Sequence, residues 1–406
     1  MLEGTPSWRS LAAIAALAAA VRLFAAWAIP FSPGAGDPNF APDEGQHFKV
    51  IRDLSEGRVP VWPDSPSVYS VFPPSQYLIQ AATLRLGRTF PDLRRVPGQG
   101  PDAVGIFWAR AGSVLLGVAG SVLLARTAGA FLRNAGAGIL AGAAAALYPQ
   151  YAFVTSYCNA DACTIFAGLL LLVDALAVWA IRGEGAAGLG YVGAAAGAVL
   201  SEKVSGFYLL LPAAILVLSR RPPLRALLQS CTLAALVAGP WLLWNAVRTG
   251  GDAFGVRLYG KFMADVWRPQ TLLEIPHGAV KFAYMTASSA IGVFGNMSLP
   301  LPWPLRGAIG AAVLAGVLIA ARTRPWSPAA KFIAGATLAN LGSELAKCLL
   351  VDFQPQGRYV LVPVLLLICV AMIAPARRWA RWPAVFLAVL TVSTLTMEGQ
   401  LFARGR

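Results

Sequence analysis

The chain has 406 residues, of which 57% are hydrophobic and only 13% charged, and it carries a formal net charge of +14. A soluble globular protein carries about 25% charged residues, so a wholly soluble fold is excluded and much of the surface must face lipid. The positive charge invites a nucleic-acid partner, but its distribution along the chain argues for a membrane instead.

Apolar runs long enough to cross a bilayer, ~17–25 residues, recur almost throughout. They fall at 11–30, 105–125, 135–153, 162–181, 187–202, 204–219, 226–246, 306–321, 329–350, 359–375 and 382–397, about eleven in all. The first ends in "AWA" like a cleavable signal peptide. Arg22 interrupts it and many spans follow, so an uncleaved first helix is expected. Two segments rich in Pro, Gly, Trp and Tyr break the rhythm. The predicted organisation is therefore a first transmembrane helix (1–30), a first outer loop (31–104), transmembrane helices 2–7 (105–246), a second outer segment (247–305) and transmembrane helices 8–11 (306–406).

Arg9, Arg126, Arg133, Arg182, Arg220, Arg221, Arg225, Arg322, Arg324, Lys331, Arg377, Arg378 and Arg381 all fall on one side of this topology. That positive-inside bias puts the N-terminus in the cytoplasm, and anionic lipid accounts for the net charge without a nucleic acid. Most of the 19 acids fall on the outer side or in the outer part of a span. Ionisable groups at membrane depth are costly and usually functional, so any chemistry is expected to face away from the cytoplasm. The five cysteines lie in or beside spans. Cys158 and Cys163 are too far apart on a continuous helix for a disulfide, and buried free thiols are expected.

The first outer loop contains two amphipathic stretches suited to a membrane interface. One is 43–56, with Phe48, Ile51 and Leu54 on its apolar face, and the other is 75–87, with Tyr77, Leu78, Ala81, Ala82 and Leu84. Asp43 and Glu44 follow Pro42 at the start of the first. A helix N-terminus stabilises carboxylates by ~0.3–1 kcal/mol, so a carboxylate there can take up a proton near a reaction centre. His47, at i+4 from Asp43 and i+3 from Glu44, shares their face. The same pair also reads simply as a helix start decorated with acids.

Further along, "YPQYAFVTSYCNAD" (Tyr148–Asp161) joins two apolar runs, and Asp161 reads either as a site residue or as a cap for the next helix. Lys203 in "SEKVSG" and Arg358 in "QPQGRYVLVP" stand near the outer interface. They can hold a lipid-linked phosphate or serve as snorkelling anchors. Glu344 and Lys347, one turn apart, read as a structural ion pair. There is no Asp-x-Asp, only two histidines, and no phosphate loop or dinucleotide fingerprint. A metal clamp for a diphosphate and a His-based zinc site are therefore not expected.

These pieces together resemble the polytopic glycosyltransferases of the GT-C class, particularly the family 39 protein mannosyltransferase and aminoarabinose-transferase type. The matching elements are Arg22, "PDEGQHF", "FPPSQYL", "YPQYAFVTSYCNAD", "LSEKVSGFYLLLP", "WNAVRTGGDAFG", "FGNMSLPLP" and "QGRYVLVP", in that order. The resemblance implies an all-α GT-C fold: about 11 transmembrane helices under an extracytoplasmic cap of interfacial helices. It implies transfer of a sugar from a polyprenyl-phosphate donor to a hydroxyl of a lipid-linked glycan, cell-envelope polymer or protein. The enzyme would sit in the cytoplasmic (inner) membrane and work on its outer side, without metal or cofactor.

Carried onto this chain, the resemblance makes Asp43 and Glu44 the catalytic pair. Asp43 is the general base, and Glu44 and His47 shape the pocket, although two acids on one helix turn can exchange roles. Lys203 and Arg358 bind the donor phosphate, and Asp161 and Tyr359 line the same cavity. The chain is short for the family, and the typical Glu-Lys-Pro-Pro form of the second motif reads "VFPPSQY" here, which leaves the acceptor open. The alternative is a polytopic transporter or flippase, whose usual internal repeats the sequence does not show.

Overall fold

The computed structural model describes residues 4–31, 41–60, 67–90, 105–175, 186–202, 204–266, 270–294, 298–323, 328–350, 356–372 and 381–404. They form helices, apart from a short antiparallel pair, β1 (Val293–Phe294) and β2 (Leu299–Pro300), with Val293 opposite Pro300. Among the described residues, four helices are long and apolar enough to span a bilayer: Trp8–Ala28, Ile106–Ala130, Leu224–Arg248 and Trp382–Ala403. Shorter apolar helices lie at Ala135–Leu147, Asp161–Val173, Gly188–Leu200, Gly206–Ser219, Trp303–Leu318 and Gly357–Ile368. The protein is a polytopic helical membrane protein. Leu236, Leu243 and Val247 point outward from the third span, as side chains do where lipid is the solvent.

Local chemistry sets the helix ends. Helix α1 (Trp8–Ala28) starts where the Ser7 hydroxyl accepts from the Ser10 amide at 3.2 Å, a side-chain N-cap. Along the chain follow α2 (Glu44–Ser55) and α3 (Leu78–Gly87). Helix α4 (Ile106–Leu132) is followed by α5 (Ala135–Leu147), which the Asn134 side chain caps at the Ala137 amide. The two pack as antiparallel neighbours with α1. Arg22 of α1 is fully buried where Gly117 of α4 has no side chain, a space that a Cβ would close. Its guanidinium donates to Thr155 Oγ1 at 2.8 Å and to the Ala146 carbonyl at 3.1 Å, and lies 4.7 Å from the Tyr151 ring.

The chain continues through α6 (Pro149–Val154), α7 (Asp161–Leu169, running on as a π-helical turn to Ala175), α8 (Ala186–Leu200), α9 (Leu210–Ser219) and α10 (Leu224–Arg248). Next come α11 (Val256–Val266) and α12 (Gly278–Gly292). The last four helices are α13 (Trp303–Thr323), α14 (Pro328–Leu350), α15 (Leu361–Met372) and α16 (Trp382–Arg404).

The two amphipathic stretches are helical but differ in detail from the expectation. The first begins at Glu44, because Asp43 takes a left-handed backbone (φ 57°) and acts as the N-cap. The second opens as a 3-10 turn over Pro74–Tyr77 and becomes α-helical only at Leu78, after a Pro73-Pro74 pair that keeps the preceding backbone extended. The apolar face of α2 turns onto protein rather than lipid. Phe48 and Ile51 are buried in a cluster with Ala26, Phe31, Ile106 and Phe107, each contributing ~1.5–3 kcal/mol. Helix α3 splits its face: Tyr77, Ala81 and Leu84 are buried, while Leu78, Ile79 and Leu86 are exposed.

The end of α10 holds the loop between these helices. Asn245 donates to the Val71 carbonyl at 3.1 Å, and Arg248 donates to the carbonyls of Phe72 (2.5 Å) and Pro60. Helix α12 reaches the core beneath: the Tyr148 hydroxyl donates to the Ala290 carbonyl, and Gly357 approaches Ala290 so closely that no side chain would fit.

Candidate active site

Neighbouring acids at the head of α2 meet opposite environments. Glu44 is 2% exposed and forms a two-pronged pair with Arg110, with Nε to Oε1 at 2.8 Å and Nη2 to Oε2 at 2.6 Å. Arg110 Nη1 also donates to the carbonyls of Ala26 and Ile29 at the end of α1, both at 2.6 Å. Glu44 Oε1 accepts the Cys158 amide at 2.9 Å. The carboxylate thereby joins α1, α2, α4 and the segment before α7. Asp43 is exposed, and its Oδ2 accepts a hydrogen bond from the Tyr69 hydroxyl at 3.0 Å. The left-handed residue between the loop and α2 sends the two side chains apart.

Tyr69 belongs to a 3-10 turn (Val68–Val71) whose following carbonyls α10 grips. It stacks on His47, with ring centroids 4.1 Å apart. His47 is buried, and its Nδ1 lies 2.7 Å from the Tyr77 hydroxyl. Burial first, and then the Asp43 carboxylate, push the Tyr69 phenol well above its usual pKa, with Arg358 acting the other way. Tyr77 is raised well above its usual value too, by burial and then by the carboxylates of Asp161, Glu202 and Asp43. Both phenols therefore remain protonated donors. Asp43 acts on both rings, Asp161 and Glu202 on Tyr77, and Arg358 on Tyr69. The Pro74–Tyr77 turn packs on α7, and Ser75 donates to the Ser201 carbonyl just after α8 at 2.5 Å.

Asp161 opens α7, but it does not cap it: Asn159 Oδ1 accepts the Ala162 amide at 2.8 Å. That leaves the Asp161 carboxylate to face Arg358, with Nε 3.3 Å from Oδ2. The contact lacks the alignment of a hydrogen bond, and Arg358 Nε has no hydrogen-bond partner. The other nitrogens make long contacts, Nη1 to the Tyr157 hydroxyl at 3.5 Å and Nη2 to the Tyr359 hydroxyl at 3.3 Å. The Tyr359 ring lies 5.2 Å from the guanidinium carbon. Glu202, one residue before Lys203, is buried with Oε1 3.3 Å from the Cys163 thiol and Oε2 unpaired. Lys203 itself lies outside the described residues. Among the described residues no cluster of three potential metal ligands occurs.

The structure thus brings Asp43, His47, Asp161, Arg358 and Tyr359 into one neighbourhood and sets Glu44 behind it. Three participants were missed in the sequence. Arg110 carries a usable signal, being the only basic residue inside the apolar run 105–125. Tyr69 and Tyr157 carry none, since each is one aromatic among many between the apolar runs.

No protein-family model matches the chain, and no curated protein matches it. Among solved structures, the chain is similar to ArnT from Cupriavidus metallidurans in the apo state. The identity is 14%, the match covers 97% of this chain and 76% of that one, and the TM-score is 0.59. A second structure of ArnT from the same organism, bound to undecaprenyl phosphate, matches at 15% identity over 96% of this chain and 78% of that one, with a TM-score of 0.45. The first of these likenesses spans nearly the whole chain, and it shows that the protein shares the helical fold of ArnT.

Proposed function

We propose that the protein is a glycosyltransferase that moves a sugar from a polyprenyl-phosphate donor to an acceptor hydroxyl on the extracytoplasmic face of the inner membrane. The acceptor is a lipid-linked glycan, a cell-envelope polymer or a protein. About eleven spans carry the chain, with the N-terminus in the cytoplasm. The GT-C fold supports the class. The observation that carries the reading is the contrast at residues 43 and 44. One carboxylate is exposed and oriented by Tyr69, the other is sealed on Arg110, and the under-bonded Arg358 belongs to the same cluster.

In the proposed reaction, Asp43 takes the proton of the acceptor hydroxyl through the oxygen not held by Tyr69. The acceptor oxygen bonds to the anomeric carbon as the bond from that carbon to the phosphate oxygen breaks. A single displacement of this kind inverts the configuration. The electron pair leaves on the phosphate, where Arg358 and Lys203 meet the growing charge. Glu44 works from behind, fixing the head of α2 so that Asp43 projects outward. His47 holds Tyr69 by stacking and takes no proton from the acceptor.

Reconstituted protein incubated with radiolabelled polyprenyl-phosphate sugars and a panel of lipid-linked acceptors tests the reading. Label is expected to pass to an acceptor, with the product anomer opposite to that of the donor. No transfer with any pair, or transfer with retention, would overturn it.

A further inference from the structure

Helix α14 is apolar outside and polar within. Leu345 and Leu350 are exposed on its outer side, while Asn340 and Glu344 are buried on a stripe one turn apart. Lys347 lies at the seam between the two, its side chain 30% exposed. The ammonium sits 4.0 Å from the centroid of the Tyr359 ring, the same ring that lies 5.2 Å from the Arg358 guanidinium carbon. The two cations are therefore no farther apart than those distances together.

Neither cation is held firmly. Lys347 Nζ is 3.6 Å from Glu344 Oε1, beyond hydrogen-bond range, and Arg358 Nε has no hydrogen-bond partner. The carboxylates facing them are Glu344 and Asp161. The ring that both cations approach is fixed by its backbone: the Tyr359 carbonyl accepts from the Tyr208 hydroxyl and from Asn340 Nδ2, both at 3.2 Å. Beside this seam α9 packs against α14 and exposes Leu211 and Ile215. A cation at the edge of a polar cluster, next to a strip of outward apolar side chains, suits an amphiphile with an anionic head and a hydrocarbon tail.

We propose that Lys347 is a further cation of the donor site, beside Arg358 and Lys203. The phosphate is held between Lys347 at the lipid-facing edge and Arg358 inside, and the polyprenyl tail lies along the α9–α14 seam. This rests on the glycosyltransferase reading above and deepens it, because the Glu344–Lys347 pair becomes a gate on phosphate binding rather than a structural brace. The phosphodiester of a polyprenyl-phosphate sugar offers two non-bridging oxygens, one for each of these donors.

The test measures binding of farnesyl phosphate, with farnesol as control, to the purified full-length protein in detergent. Lys347→Gln is expected to weaken farnesyl phosphate ~10-fold and to leave farnesol unchanged, while Lys347→Arg restores most of the affinity. Glu344→Gln is expected to tighten binding, because it releases the ammonium; a structural brace would instead show loss of folded protein. The Glu344→Gln/Lys347→Gln double variant leaves no unpaired charge, and is expected to bind as weakly as Lys347→Gln. Unchanged affinity in Lys347→Gln or in the double variant, with Arg358→Gln impaired, overturns the role of Lys347 alone. Unchanged affinity in Arg358→Gln as well overturns the phosphate site itself.

Discussion

Arg110 and Arg358 both meet a carboxylate inside the protein, and the two pairs are built in opposite ways. At Arg110 every guanidinium nitrogen is engaged, by Glu44 and by the carbonyls of Ala26 and Ile29, and neither side chain is more than 2% exposed. At Arg358 the nearest carboxylate oxygen is 3.3 Å away, Nε bonds to nothing, and both side chains keep 8–10% exposure. A guanidinium whose donors are all used can only hold the fold together. One whose donors are strained or idle can accept a visiting anion. The difference separates scaffold from site within one fold.

The largest test of that contrast removes one partner of the sealed pair. Arg110→Met or Glu44→Gln should cost about 3–5 kcal/mol of stability, because each leaves a buried, unmatched group. Loss of monodisperse protein in detergent and a lowered unfolding temperature would register it. An intact, normally stable Glu44→Gln variant would show that the pair is not the anchor. Next in size, Asp43→Asn should fold and bind donor normally but transfer sugar ~10²–10⁴-fold more slowly. Full turnover in that variant would remove Asp43 from the chemistry.

Arg358→Gln should do the reverse of Arg110→Met, leaving the unfolding temperature nearly unchanged while weakening donor-phosphate binding ~10-fold or more. If it unfolds the protein instead, the two arginines are alike and the distinction collapses. The smallest effect belongs to Tyr69→Phe. Losing one hydrogen bond to the Asp43 carboxylate should lower kcat several-fold, with KM for the donor and stability unaffected. A change confined to KM would place Tyr69 in binding rather than in orienting the base.

The helical fold and its membrane character were legible because hydropathy is a strong, local signal. Asp43, Glu44, Asp161 and Arg358 could each be picked out as ionisable groups in an apolar chain. Their division of labour could not. Residues 43 and 44 present different faces of one helix turn, and spacing does not say which faces inward. The left-handed turn at Asp43 sends one outward and the other onto Arg110. The Asp161–Arg358 contact joins segments far apart in the chain, and no periodicity announces it. That Asn159 caps α7 and frees Asp161 depends on side-chain directions that spacing does not encode. Tyr69 owes its place to the carbonyls that Asn245 and Arg248 hold on the following residues, a tertiary arrangement with no sequence trace.

The dihedral at Asp43 has one further consequence. At φ 57°, a side chain with an ordinary Cβ environment is strained by ~1–2 kcal/mol. Aspartate and asparagine are the non-glycine residues that visit this region most readily, because their short polar groups bond locally. A glutamate would keep the charge but lose that local accommodation, and would also push its carboxylate one methylene past the Tyr69 hydroxyl. Aspartate, asparagine and glycine sit at this corner with the least strain, and among them only aspartate can accept a proton. Backbone geometry selects the length of the acid here before any substrate arrives.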